Sequence, residues 1–248
     1  MNVVAIIPAR YASTRFPAKA LAILGGKPII QHVYERVLNS GLFNNVSVAT
    51  DHDKIVDTVI GFGGNVIMTS EEHQSGTDRI AEALQYLPEA ELIVNVQGDE
   101  PLIETEVLAK LIQAFQSPVV QMASLMTPIS DPDLLINPNV VKVVADNSNN
   151  ALYFSRSCIP YNRDNIGGMI FYRHIGVYAY SREALWRFVR FPQSTLERIE
   201  KLEQLRALEN GIPIRMVETE YQGIGIDTPE DLAQMETLFQ RRDKEIIN

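Results

Sequence analysis

A single cysteine, Cys158, occurs in the 248-residue chain. An internal disulfide is therefore excluded, and so is a zinc site built on several thiolates. Apolar runs are short: none approaches the ~18 residues that a membrane span needs, and Arg10 interrupts the apolar start before it reaches the length of a secretory signal. Neither the GxxxxGK[ST] loop nor the GxGxxG dinucleotide fingerprint is present, so a phosphate site here must rest on side-chain charge more than on glycine-rich backbone. Positive charge is in deficit. The net charge of −9 sets the overall field against nucleic acid and against insertion at an anionic membrane. Low-complexity segments and internal repeats are also missing. With 46% hydrophobic residues, the expectation is a cytoplasmic globular protein with a sizeable core.

Against this acidic background one stretch carries dense positive charge. Val3 to Ile7 is a β-branched run that reads as a buried first strand. It runs into IPARYASTRFPAKAL at 7–21, where Arg10, Arg15 and Lys19 fall within ten residues beside Ser13. Three cations on a loop leaving a strand end suit a polyanion such as a triphosphate, and suit a solvated basic loop equally well.

Strand and helix patterns then alternate. Strands are expected at 46–50, 65–68 and 92–96, with helices from Pro28 to Gly41, from an Asp51 cap to Gly63, and over 78–87. This is the signature of an α/β fold with a doubly wound, mostly parallel sheet. The second half is less regular, with a helix at 104–116 and strands at 120–126, 139–145, 151–160 and 169–181. Ser194 and Glu197 form a capping box that opens one helix through Leu196, Ile199, Leu202, Leu205 and Leu208 to Gly211. A short apolar run at 224–226 precedes a last helix, with Thr228 as its cap and Pro229 in its first position. The organisation expected is a single domain over 1–248, with a smaller mixed α+β lobe inserted at about 151–191.

In an open parallel sheet with strand order 3-2-1-4, ligands bind beyond the carboxyl ends of strands 1 and 4. The basic loop would there face Gln97-Gly98-Asp99-Glu100-Pro101. A carboxylate opposite a triphosphate loop suits Mg²⁺, which takes one or two carboxylates and completes its shell with phosphate oxygens and water. Asp99 fits that role or merely orders a turn. Asp227 is a second candidate ligand or a helix-cap residue. Ser75, Gly76 and Arg79 stand at a helix N-terminus, where they hold a phosphate or nucleoside or form an ordinary cap. Alternation puts His174, Gly176, Tyr178 and Tyr180 on one face of a strand. A lone histidine is usually structural, but one sharing a face with Tyr178 near Arg156 and Arg173 could recognise an acidic sugar, and a half-buried Glu203, followed by Gln204, needs partners such as sugar hydroxyls.

Nine segments in order carry a resemblance spanning almost the whole chain. They are IPARYASTRFPAKAL, ATD at 49–51, HQSGTDR at 73–79, VNVQGDEPLI at 94–103, NPNVVKVV at 137–144, ALYFSRSCIPYNRD at 151–164, RHIGVYAY at 173–180, LEQLRALENG at 202–211 and GIGIDTPEDL at 223–232. Together they resemble the 3-deoxy-manno-octulosonate (Kdo) cytidylyltransferase family, also called CMP-Kdo synthetases. The resemblance implies a nucleotide-diphospho-sugar transferase-like fold and a homodimer that joins CTP and Kdo, with Mg²⁺, for lipopolysaccharide assembly. It assigns nucleotide contacts to Arg10, Ser13, Lys19, Ser75, Arg79 and Gln97, and metal ligation to Asp99 and Asp227. It assigns sugar contacts to Arg156, His174, Tyr178, Glu203 and Gln204, and sugar binding and dimerisation to the inserted lobe. Arg15, Gly76 and the backbone of Pro8 and Ala9 are expected to complete the nucleotide site. Lys19, Arg10, Asp99 and Asp227 are the expected catalytic set, acting on an in-line attack at the α-phosphorus without an obligatory general base.

Two departures from the family pattern stand out. Ala18 replaces a glycine before the lysine, which calls for negative φ at that position, and the segment 161–172 is short. A cytidylyltransferase for 8-amino-Kdo or sialic acid, a glycosyltransferase of similar sheet architecture, and a non-catalytic nucleotide-binding regulator are the rival readings.

Overall fold

The computed structural model describes residues 1–12 and 16–247, with side chains as far as Phe239. The chain divides into two compact units, Met1–Thr105 with Gly223–Asn248, and Glu106–Gln222.

The first unit opens with β1 (Val3–Ala9), a short hairpin β2 (Ile23–Leu24) and β3 (Lys27–Pro28), and α1 (Ile29–Asn39). It continues through β4 (Asn45–Thr50), α2 (Asp53–Gly61), β5 (Val66–Met68), α3 (Gly76–Ala83) and β6 (Leu92–Asn95). The four long strands lie in the order β5-β4-β1-β6 and are parallel throughout, as the alternating pattern predicts. Right-handed crossovers then send α1 and α2 to one face and α3 to the other. This explains why Ile6 and Ile7, neighbours with opposite side-chain directions, are both fully buried. Helix α1 buries Ile29, Ile30, Val33, Tyr34 and Val37 at helical spacing, each worth about 1.5–3 kcal/mol of transfer free energy. Gly41, at φ 68°, ends it in the left-handed conformation that favours glycine.

Two helix starts differ from expectation. The cap of α2 is His52, whose Nδ1 accepts the Lys54 N–H at 3.1 Å. Asp51 does not serve because its carboxylate is turned to Tyr11 and Arg79. Helix α3 starts at Gly76 rather than Asp78, because Ser75 Oγ accepts the Asp78 N–H. The C-terminal helix, Pro229–Ile247, is capped as expected. Thr228 Oγ1 accepts the Asp231 N–H at 3.2 Å, and Asp231 Oδ2 accepts the Thr228 and Asp227 N–H groups at 2.9 Å. Ile224–Ile226 forms no strand. Instead Ile226 is buried with Leu24, Ile29, Leu102 and Met235, with Phe16 packed against them, and its N–H donates to the Asp99 carbonyl at 2.9 Å.

The second unit comprises α4 (Thr105–Gln113), β7 (Met122–Pro128), α5 (Asp133–Ile136), β8 (Lys142–Ala145), β9 (Ala151–Ser155) and β10 (Tyr172–Ser181). It ends with α6 (Arg182–Arg190), α7 (Thr195–Glu200), α8 (Leu205–Glu209) and β11 (Ile214–Glu218). Its pairing is mixed. β7 lies antiparallel to β10 and parallel to β11, and β8 runs antiparallel to both β10 and β9. Residues 151–191 lie within this unit and do not form a compact unit of their own.

The strands expected at 139–145 and 151–160 are shorter, starting at Lys142 and ending at Ser155. The single helix expected from Ser194 to Gly211 is two helices, broken at Lys201 with φ 54°. The capping box is present, but Glu197 also takes two hydrogen bonds from the buried Arg206, at 2.9 and 2.6 Å. That pair occupies the inward face, and Ile199 is left 72% exposed.

Candidate functional site

A cleft of about 360 Å³ opens in the first unit, beyond the carboxyl ends of β1 and β6. Its walls are Pro8, Ala9 and Arg10 from β1 and the turn after it, Lys19 and Ala20, His73 to Gly76 with Arg79, Gln97 to Asp99, and Asp227. Gly98 makes the close approach possible, since a Cβ there would stand 3.0 Å from the Pro8 carbonyl oxygen. Any larger residue would push the Asp99 turn away from β1.

Lys19 Nζ donates to Asp99 Oδ2 at 2.5 Å and to Asp227 Oδ1 at 3.0 Å. Two carboxylates from distant parts of the sequence thus meet over one cationic position. Partial burial alone would lower the pKa of the Lys19 ammonium. The Asp99 charge and hydrogen bond, joined by those of Asp227, outweigh burial and hold it above the ordinary lysine value. The residue before it departs from expectation: Ala18 has φ 53° rather than a negative φ. The Ala18 N–H donates to the Tyr11 carbonyl at 3.0 Å, and this bond closes the loop and imposes the turn.

Arg79 is 3% exposed, and its guanidinium is engaged by Asp51 Oδ2 and Thr69 Oγ1, each at 2.6 Å. Ser75 Oγ also donates to Asp78 Oδ2 at 2.9 Å. His73 is paired through Nε2 with Glu82, which also accepts the Ser70 N–H. Gln97 Nε2 donates to Asn95 Oδ1 at 3.2 Å.

In the second unit, Arg156 follows directly on β9. It donates to the carbonyls of Glu200 and Pro138 at 2.8 Å and of Lys201 at 3.4 Å. The His174 and Tyr178 rings are neighbours at 5.3 Å, on the shared face that alternation predicts. His174 Nε2 lies 2.8 Å from Ser124 Oγ, which also reaches the Val177 carbonyl at 2.9 Å across the bulge in β10. Burial, with the Arg173 charge adding to it, lowers the His174 pKa to about 3, so the ring is neutral near pH 7. Burial also raises the Tyr178 hydroxyl well above its usual value, with Tyr180 and Glu203 adding to the effect. Gln204 is 5% exposed, and Glu203 lies 3.7 Å from Arg206.

Residues 4–219 match the profile of a family described as Cytidylyltransferase. A 3-deoxy-manno-octulosonate cytidylyltransferase of Geobacter sulfurreducens is 51% identical over 246 residues, which cover 95% of this chain and 98% of that protein. The chain belongs to the 3-deoxy-manno-octulosonate cytidylyltransferase family. A Flavobacterium johnsoniae protein of the same name is 49% identical, covering 97% of this chain and 99% of its own. Among solved structures, a CMP:2-keto-3-deoxy-manno-octonic acid synthetase complexed with CTP superposes with a TM-score of 0.93. It is 42% identical and covers 98% of this chain and 100% of that one. A 4-diphosphocytidyl-2C-methyl-D-erythritol synthase from Anaerococcus prevotii, at 18% identity and TM-score 0.65 over 96% of this chain and 98% of its own, shares the fold. The fold is that of the nucleotide-diphospho-sugar transferases, and the chain is a nucleotidyltransferase.

The expected nucleotide and metal residues Pro8, Ala9, Arg10, Lys19, Ser75, Gly76, Arg79, Gln97, Asp99 and Asp227 all line the same cleft. Ser13 and Arg15 lie outside the described residues. Arg156, His174, Tyr178, Glu203 and Gln204 belong to the second unit. Sequence reasoning missed Asp51, read there only as a helix cap. No helix among the described residues is long and apolar enough to cross a membrane.

Proposed function

We propose that the chain transfers the cytidylyl group of CTP to 3-deoxy-D-manno-octulosonate, giving CMP-Kdo and pyrophosphate for lipopolysaccharide assembly. The observation that carries this reading is the meeting of Asp99 and Asp227 over the Lys19 ammonium, in a cleft walled by β1 and by the N-terminus of α3. The names of relatives at about half identity, and of a CTP complex sharing the architecture, supply the substrates.

The donor set fits a hard divalent cation. Asp99 Oδ2 and Asp227 Oδ1 both reach one cation's position, and paired carboxylate oxygens are what Mg²⁺ prefers. Bound there, Mg²⁺ would acidify the sugar hydroxyl and offset charge on the phosphates. In the proposed reaction the anomeric hydroxyl of the sugar forms a bond to the α-phosphorus. The bond to the bridging oxygen of pyrophosphate breaks, and the hydroxyl proton passes to solvent. Lys19 and Arg10 present cations to the phosphoryl oxygens as charge grows on them, preorganised so that little reorganisation is needed in the transition state. The N–H groups at the start of α3, with Ser75, Gly76 and Gln97, bind the nucleotide. Arg156, neutral His174, Tyr178, Glu203 and Gln204 recognise the acid sugar. Cytoplasmic residence and a homodimer formed through residues 151–191 belong to the same proposal.

The test is pyrophosphate release from CTP and Mg²⁺ with Kdo, 8-amino-Kdo or sialic acid as acceptor. Kdo should be the preferred acceptor, and Asp99→Asn should lower turnover at least ~100-fold, as loss of an electrostatic stabiliser does. Preference for another acid sugar, or near wild-type turnover by Asp99→Asn, would overturn the reading.

A further inference from the structure

Asp51 stands behind the cleft wall and has no role in the chemistry just described, yet it joins the two elements that carry the cleft's cations. Its Oδ1 accepts the Tyr11 N–H at 3.2 Å, and its Oδ2 accepts Arg79 Nη2 at 2.6 Å. Tyr11 is closed at both ends: its carbonyl accepts the Ala18 N–H at 3.0 Å, and its ring stacks on His52 at 3.8 Å with 16° between planes. The next residue after Ala18 is Lys19. Arg79 belongs to the first turns of α3, and its other guanidinium nitrogen holds Thr69.

A continuous set of hydrogen bonds therefore runs from α3 through Asp51 to Tyr11, then across the loop mouth to Ala18. We propose that Asp51 is a positioning residue for the triphosphate: it fixes the base of the cationic loop and so the place from which Lys19 is presented. The inference rests on reading the cleft as the CTP site. Tyr11, which fixes Ala18 and so the residue before Lys19, is held at its ring by the His52 stack and by Lys54, and at its backbone N–H by the Asp51 carboxylate. Removing that carboxylate also strips the buried Arg79 of its charge partner, which loosens the start of α3 on the opposite wall. Outer-shell partners that orient ligand-binding groups commonly change affinity 10–100-fold when lost.

A residue that acts through another gives non-additive effects, and this separates positioning from general loss of structure. CTP affinity is measured by titration calorimetry on the full-length wild type, Asp51→Ala, Asp51→Asn, Lys19→Met and the Asp51→Ala/Lys19→Met double variant, with thermal melting as the fold control. Asp51→Ala should weaken CTP about 10-fold. Asp51→Asn keeps an amide oxygen for the Tyr11 N–H but turns a donor toward Arg79, so it should weaken CTP less than Asp51→Ala does, the remaining loss reporting the Arg79 arm alone. In the Lys19→Met background the Asp51→Ala change should cost clearly less than it does in the wild type, because the group it positions is gone and only the part carried by Arg79 and α3 remains. If Asp51→Ala does not fold, Asp51→Ser, too short to reach Tyr11 and Arg79 together, carries the same expectations. Full additivity in the double variant, or unchanged CTP affinity in Asp51→Ala, would overturn the inference while leaving the CTP reading intact. A wild type that does not bind CTP would remove both.

Discussion

Two lysines, one in each unit, meet opposite environments. Lys19 lies between two carboxylates at the edge of a cleft, and its ammonium is held above the ordinary pKa. Lys142 is fully buried, with Nζ on the carbonyls of Asn137 at 3.0 Å, Val140 at 2.6 Å and Arg156 at 2.5 Å. Burial, offset only in part by charges at a distance, moves its pKa below the usual value. Three carbonyls around one ammonium match its three N–H donors, so Lys142 serves as a tie between three stretches of backbone. A cation facing carboxylates can be turned to other anions when they arrive. One wrapped in main-chain dipoles is locked, and its neighbours are locked with it. Lys19 is thus placed to play the chemical part proposed for it, and Lys142 plays an architectural one.

The sharpest way to break that assignment is to remove each charge at nearly constant volume. Lys19→Met should lower kcat/KM for CTP ~100–1,000-fold, in the range seen when a preorganised stabiliser is lost, with a loss of stability smaller than that of Lys142→Met. Lys142→Met should do the reverse. It leaves three carbonyls without their donor, and a loss of about 3 kcal/mol in unfolding free energy is expected from their desolvation. The KM for CTP of the remaining folded protein should stay within about twofold. Denaturant unfolding and steady-state kinetics on both variants measure the two axes. A large stability loss in Lys19→Met with intact turnover would reverse the roles.

A titration sharpens the comparison within the second unit. His174 has a pKa near 3 in the folded chain, against ~6.5 when unfolded. Between those values the unfolded chain binds the extra proton, so stability is lost as pH falls below about 6.5 and the loss is complete near the folded pKa. By pH 5 this amounts to about 2 kcal/mol. His174→Asn should flatten that part of the pH–stability profile, read by urea unfolding between pH 7 and 5. An unchanged slope would mean the ring is protonated at a more ordinary pH than its enclosure implies.

The two units also differ in how far the sequence reveals them. In the first, the strands are short, largely apolar segments and each connection between the parallel strands carries a helix, so the order β5-β4-β1-β6 and the facing of Lys19 with Asp99 follow from pattern and crossover rules. In the second, buried charge overrides pattern. Leu196, Ile199, Leu202 and Leu205 read as one apolar stripe, yet Glu197 with Arg206 takes the interior, and Lys201 breaks the helix. No periodicity rule places a carboxylate inside in preference to an isoleucine. The choice depends on a partner nine residues away and on its bidentate fit. Asp51 was misjudged for a related reason. A local cap was the nearest use for its carboxylate, while its actual partners, Tyr11 and Arg79, are 40 and 28 positions distant.

Ala18 marks where the regular unit departs from its own rules, and it gives the smallest expected effect. With φ 53° it occupies a region that costs a non-glycine residue about 1–2 kcal/mol. The bond from its N–H to the Tyr11 carbonyl, together with the Lys19 contacts to Asp99 and Asp227, holds it there. Strain concentrated next to a reactive group is tolerated when the surroundings over-determine the conformation. Glycine at this position would remove the steric cost but raise the entropy of the unfolded chain by about 0.5–1 kcal/mol. Ala18→Gly should therefore stabilise the protein by up to about 1 kcal/mol, a rise in Tm of about 2–4 °C for a chain of this size. The KM for CTP should move less than about twofold, because the Tyr11–Ala18 hydrogen bond is kept. A fall in Tm would mean that Ala18 is unstrained and that the loop adopts a different turn in solution. A rise in Tm with a large loss of CTP affinity would mean that the methyl group, rather than the backbone bond, keeps Lys19 aimed at the two carboxylates.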